Sequence, residues 1–110
     1  MREILGIHVD AKDTCVTVAD EVHRGDVVKY YCEGGKEERV VSKDDIPIYH
    51  KIAIVPHACD DKVIKYGYPI GVALKEIEIG QHVHIHNIRA VGLKVSKEGA
   101  LNMSSAELSK

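Results

Sequence analysis

Gly80-Gln81-His82-Val83-His84-Ile85-His86-Asn87 is the stretch on which the reading of this chain turns. Three histidines alternate with Val83 and Ile85, and successive side chains of an extended strand point to opposite faces. The alternation predicts a strand with His82, His84 and His86 on one face, at steps of about 7 Å, and Val83 and Ile85 on the face that meets a core. Imidazole titrates near neutral pH, binds metals and shuttles protons, and three of the chain's seven histidines fall in this one span. The plainer reading is a surface strand with polar residues outward. An H-x-H pair offers two metal ligands but needs a third.

Working outward, 110 residues with a formal charge of -2 predict one domain with a modest core. The mixed charge gives no basic footprint for nucleic acid. No Trp or Phe occurs, so the core must be aliphatic, and its Val and Ile favour strands. Cys15, Cys32 and Cys59 are odd in number and show no C-x-x-C spacing. They predict reduced thiols in a cytoplasmic protein, a catalytic cysteine being the alternative. Met1-Arg2-Glu3-Ile4 begins no apolar leader, and no apolar run reaches the roughly 20 residues that span a bilayer. The expectation is therefore no membrane association.

Short apolar runs follow one another with turn signals between them. Ile4–Val9 and Thr14–Val18 read as strands, and Glu33-Gly34-Gly35-Lys36 reads as a hairpin loop before a return strand over Glu38–Val41. Tyr68-Pro69-Ile70-Gly71 reads as a turn. His23 and His57 fall in connections and are expected at the surface. Thr17–Val28, Ala53–Ile64 and Val72–Val83 align without gaps. Val22, Ala58 and Ile77 share one column of this repeat, and Gly25, Asp61 and Gly80 share the turn column. No helical period appears, and many short strands predict an all-β domain. The pattern decays after residue 90. The organisation expected is one domain over 1–90 and a loose tail over 91–110, with a helical turn near Ser104–Leu108 as an option.

Four segments then carry a resemblance: Asp45-Ile46-Pro47 with His50-Lys51-Ile52-Ala53, Val63-Ile64-Lys65-Tyr66-Gly67-Tyr68-Pro69-Ile70-Gly71, and Gly80 to Asn87. In order and spacing they resemble the SAF-type domain of the altronate/galactarate dehydratase family, whose pattern runs I-P-x-G-H-K-x-A, V-I-K-Y-G-x-P-I-G, G-x-x-V-H-x-H-N. The resemblance covers residues 5–89. The chain departs from it at Tyr49, where the family has glycine, and at Pro56-His57-Ala58-Cys59, where a more acidic connection is usual. His82 is not one of the family histidines, so His84 and His86 take precedence.

The resemblance implies a β-clip fold of bent hairpins. It also implies lyase chemistry on hydroxylated acids, with ferrous iron or another divalent metal. It implies a large catalytic subunit as partner and a small hydroxy acid as substrate, with a homo-oligomer as a further option. Eliminating water or sulfite β to a carboxylate needs a base for the α proton, a group that stabilises the aci-carboxylate, and help for the leaving group. On that basis His84 and His86 are expected as metal ligands or acid–base groups, joined by His50 and Lys51 as catalytic residues. Lys65, Asn87 and Tyr66 are expected to bind substrate. The plainer alternatives are a structural turn at Lys65-Tyr66-Gly67 and a hydrogen-bonded structural His50. The competing function is a non-catalytic module that binds a hydroxy acid or docks a partner.

Overall fold

The structure is a computed structural model that describes residues 2–90, together with the backbone of Gly92–Val95 and Leu101–Ser104. It is an all-β β-clip domain. In chain order its strands are β1 (Glu3–Ile7), β2 (Cys15–Val18), β3 (Val27–Tyr31), β4 (Glu37–Val41), β5 (Lys51–Ala53), β6 (Lys62–Lys65), β7 (Tyr68–Ala73), β8 (His82–Val83), β9 (Ile88–Ala90), β10 (Gly92–Val95) and β11 (Leu101–Ser104). A six-stranded sheet runs β4-β3-β1-β2-β5-β8, a three-stranded sheet runs β6-β7-β9, and β10 pairs with β11. The last pair falls within the segment expected as a tail over 91–110, the rest of which lies outside the described residues. Ser104 closes β11, and residues 105–108 of the optional helical turn lie outside the described residues.

β2 sits between two cores. Val16 and Val18 project into one cluster with Ile4, Val22, Val28, Ile46 and Ile52. Cys15 projects into the other with Ala53, Val63, Ala73, Ile77 and Val83. Strand alternation thus divides one strand between two cores, which is why all four of its residues are buried. β5 is divided the same way, Ile52 to the first core and Ala53 to the second.

The two cores are closed by four copies of one local unit. In each, a bridging core residue is followed three positions later by a residue of positive φ, and three later again by a strand residue of the core. The copies run Val22, Gly25, Val28; Ile46, Tyr49, Ile52; His57, Asp60, Val63; and Ile77, Gly80, Val83. The bridges join them in pairs, Val22 with Ile46 and His57 with Ile77. The repeat expected from the sequence is therefore present but displaced. The middle unit belongs one residue earlier, with His57, not Ala58, in the core column and Asp60, not Asp61, at the turn. The copy around Ile46 was hidden because Tyr49 stands where glycine would mark the turn. Its φ of 68° lies in the left-handed region that glycine favours, which accounts for glycine in the family pattern.

The expected hairpin at Glu33–Lys36 is present, built on Gly34 and Gly35 at φ 81° and 80°. Tyr68–Gly71, by contrast, is strand and not turn. The turn lies one step earlier, at Tyr66-Gly67 (φ 55° and 80°), a two-residue connection with both residues left-handed between Lys65 and Tyr68. Pro69 is accommodated at a bulge, where the register shifts between Val63 and Ile64. Among the described residues no helix is long and apolar enough to cross a membrane.

Candidate functional site

The site grows from the β5–β8 ladder. Lys51 pairs with Val83 and Ile52 with His82, antiparallel. Carried one rung further, the same register sets His50 opposite His84. Alternation then places His50, His82 and His84 on one side and Lys51 and Val83 on the other. The rings of His50 and His84 stack with centroids 4.1 Å apart, and those of His50 and His82 lie 5.1 Å apart. His50 Nδ1 and His82 Nε2 are within hydrogen-bond distance at 2.9 Å. One ring nitrogen from each of the three lies within 4.8 Å of the others.

The strand expected through Asn87 stops at Val83. The chain turns over His84–Asn87, with Asn87 N–H donating to the His84 carbonyl at 3.0 Å. Ile85, expected on the buried face, is 75% exposed at the tip. The Asn87 side chain makes the turn: its Oδ1 accepts the His84 N–H at 3.0 Å and its Nδ2 donates to the His82 carbonyl at 2.7 Å. Asn87 is buried, and both ends of its amide are engaged. In this arrangement the amide holds the backbone of His82 and His84, in keeping with the imidazole-orienting role that the sequence offered beside substrate binding.

His82, ranked below the others from sequence, is the hub of the cluster. His86, ranked among the metal ligands, stands beside it: its ring lies 5.1 Å from that of His82, exposed and outside the triad. The geometry brings together His50, His82 and His84, three groups that could hold a metal ion, while His86, expected as a ligand with His84, stands outside that group. The signal in the sequence was the register of two strands, which motif spacing does not carry.

His50 occupies the fourth position of the turn in its unit of the repeat. In the other three copies the side chain at the same position is spent on its own turn. Asp26 Oδ2 accepts the His23 N–H, Asp61 Oδ2 the Ala58 N–H and Gln81 Oε1 the Glu78 N–H, each at 2.8 Å. The residue that would donate to His50 is Pro47, which has no N–H.

Burial pushes the His82 imidazole down to about 4, helped by the neighbouring His86, His50 and His84 and opposed by the Asp44 carboxylate. That carboxylate accepts the His82 backbone N–H at 2.8 Å. Burial also lowers His84, with His50, Lys51 and His86 adding to the effect. Near neutral pH the His82 ring is therefore uncharged, the form in which imidazole ligates a cation. The unfolded chain takes up a proton near pH 6.5, which the folded cluster resists. Stability should be full above about pH 6.5 and be lost progressively towards pH 4. The loss from His82 is on the order of 2 kcal/mol after allowing for solvent screening. Urea unfolding across that range measures it.

The remaining expected site residues divide. Lys51 is half-buried, and its ammonium is held below its ordinary value by burial and then by the charge of Lys65. Neither lysine takes part in an ion pair among the described residues. Lys65 Nζ lies 4.6 Å over the ring of Tyr66, which is exposed in its turn. Asp13 anchors that turn by accepting the Gly67 N–H at 2.8 Å. Burial alone would raise the Asp13 carboxyl, yet the N–H groups of Gly67, Asp10, Val9 and Tyr66 hold it below the usual range.

His57, expected at the surface, is 2% exposed in the second core, with Nε2 2.8 Å from Thr14 Oγ1. His23 is exposed as expected. Burial pushes the Cys15 thiol up to about 12, which removes it as a nucleophile.

The model of the altronate/galactarate dehydratase SAF domain matches residues 4–91. Altronate dehydratase of Bacillus subtilis (strain 168) is 35% identical over 89 residues, 81% of this chain and 16% of that protein. The (2R)-sulfolactate sulfo-lyase subunit alpha of Chromohalobacter salexigens is 51% identical over 47 residues, 43% of this chain and 50% of the relative. The subunit of the same name from Paracoccus pantotrophus is 45% identical over 51 residues, 46% of this chain and 76% of the relative. The first two matches thus take in half or less of the relatives' own length.

Proposed function

The chain belongs to the altronate/galactarate dehydratase SAF domain family, and from that premise we propose that it is the small component of a hydroxy-acid lyase. In this reading it supplies histidines to a site completed by a large catalytic subunit. The observation that carries the reading is the convergence of His50, His82 and His84. Three imidazoles with ring nitrogens within 4.8 Å of one another suit a divalent cation such as ferrous iron, which would act as a Lewis acid towards a departing hydroxide or sulfite.

The chain's own groups would do the rest. His86, beside the triad but outside it, accepts the α proton. The electron pair of that C–H bond passes into the aci-carboxylate and then forms the Cα=Cβ double bond, as hydroxide or sulfite departs with the pair of the β C–O or C–S bond. Lys51, whose charge reaches His84 although its strand face is the opposite one, and Lys65, whose charge in turn reaches Lys51, would stabilise the charge gathering on the substrate carboxylate.

Sharing of the site is supported by its rim. Ile48, Tyr49 and Ile85, close in sequence to His50 and His84, are 44%, 67% and 75% exposed. Apolar groups so placed suit a partner's cover. The substrate class is drawn from relatives named for altronate and (2R)-sulfolactate.

The test is reconstitution with the large subunit and an assay of elimination from altronate, galactarate and sulfolactate. His86→Ala should lower turnover by about 10²–10⁴-fold, the range of a lost acid–base group, while complex formation and cation binding are kept. Unchanged turnover, with at most a change in affinity, would instead make the chain a binding or docking module.

A further inference from the structure

We infer that Pro47 is a positioning residue, whose missing N–H releases His50 from its own turn and directs its imidazole to His82 and His84. This rests on the reading of the triad as a cation site. The four copies of the repeat serve as the comparison.

Each copy closes its turn with the same backbone bond. Asp26 N–H donates to the His23 carbonyl at 2.8 Å, His50 to Pro47 at 3.1 Å, Asp61 to Ala58 at 3.0 Å and Gln81 to Glu78 at 3.1 Å. The turn itself is therefore intact around Pro47. What differs is the return bond. In three copies the N–H at the first position is taken by the side chain at the fourth, a local contact of the kind Asp and Asn make in turns.

Histidine Nδ1 stands at the same distance along the side chain as an Asp carboxylate oxygen. It could accept the same N–H, but only by swinging the ring over its own turn. His50 Nδ1 instead lies 2.9 Å from His82 Nε2. Proline at position 47 removes the donor that would hold the other rotamer, at no cost to the backbone closure.

The test compares the whole chain with Pro47→Ala and with the double variant Pro47→Ala/His50→Asp, titrated with Co²⁺ at pH 7.5. Hydrogen exchange is followed, in metal-free protein, at the backbone amide that Pro47→Ala introduces. That N–H competes for Nδ1, so Co²⁺ affinity should fall about tenfold, the equivalent of one hydrogen bond, and the new amide should be protected. The double variant rebuilds the turn of the Asp26 and Asp61 copies; it should recover thermal stability and lose the Co²⁺ response.

A proline that only stiffens the chain would lower the melting temperature on substitution and leave affinity within twofold. That result, or an unprotected amide at position 47, overturns the inference. Should the unaltered chain fail to bind Co²⁺, the cation reading falls, while exchange at the introduced amide still decides the role of Pro47.

Discussion

Replacing His82 by alanine is expected to weaken divalent-cation binding by about 100-fold, or about 2.7 kcal/mol, while His86→Ala leaves it within about threefold. His82 is the hub of the cluster. Its Nε2 is 2.9 Å from His50 Nδ1, and its ring faces those of His50, His84 and His86. Truncation leaves only the donors of His50 and His84, and two imidazoles hold a cation far less well than three. The backbone contacts of residue 82, to the Asp44 carboxylate and the Asn87 amide, do not involve the ring, so the fold should survive. His82→Ala should also flatten the loss of stability between pH 6.5 and 4, because it removes the group most strongly held in its uncharged form. Titration by calorimetry, with urea unfolding on the same samples, reads both effects. A variant that keeps its affinity would remove His82 from the site.

Gly80→Ala should destabilise the domain by about 3–4 kcal/mol, among the larger effects of a single substitution. Gly80 holds φ 93°, and a Cβ there would stand 2.4 Å from the Val41 carbonyl oxygen. At this point two hairpins cross: Lys43 N–H donates to the Gly80 carbonyl at 2.8 Å, and Gly80 N–H to that of Ala53 at 2.9 Å. The neighbour is backbone and cannot swing aside. Gly25 occupies the same place in the first copy at φ 94°, but nothing lies within 4 Å of its Cβ position. Gly25→Ala should therefore cost only the left-handed backbone term, about 1–2 kcal/mol, and the difference between the two variants isolates the clash. Stabilities of about 5–15 kcal/mol are usual for a domain, and each kcal/mol moves the midpoint of one this size by about 4–8 °C. Thermal unfolding should separate the pair by roughly 10 °C. Equal losses would refute the crossing as the cause.

Motif order in the sequence led to the family, and glycine-marked hairpins and Val/Ile-rich runs led to an all-β domain. Local pattern failed where distant contacts decide. His82-Val83-His84-Ile85-His86 alternates as a strand would, yet Asn87 folds back onto the backbone of His82 and His84, and the ladder ends after two residues. The middle repeat unit slipped by one residue because His57 does not look like a core residue beside Val22 and Ile77. Such a slip moves every side chain to the opposite face. His82 was placed below His84 and His86 because the family pattern lacks it, and its contact with His50 beside β5, 32 residues away along the chain, is not something a motif carries. Pro47 and His50 were legible as a motif, but their relation became visible only against the three turns that keep their donor.

His50, His82 and His84 should respond to a cation as one group. The most direct test follows the imidazole ¹⁵N resonances of all seven histidines while Zn²⁺ is added to the purified chain at neutral pH. Ring nitrogens of His50, His82 and His84 should shift together and saturate at one equivalent, while those of His8, His23 and His57 stay in place. Shifts spread among the exposed histidines, or none in the first three at one equivalent, would contradict the grouping.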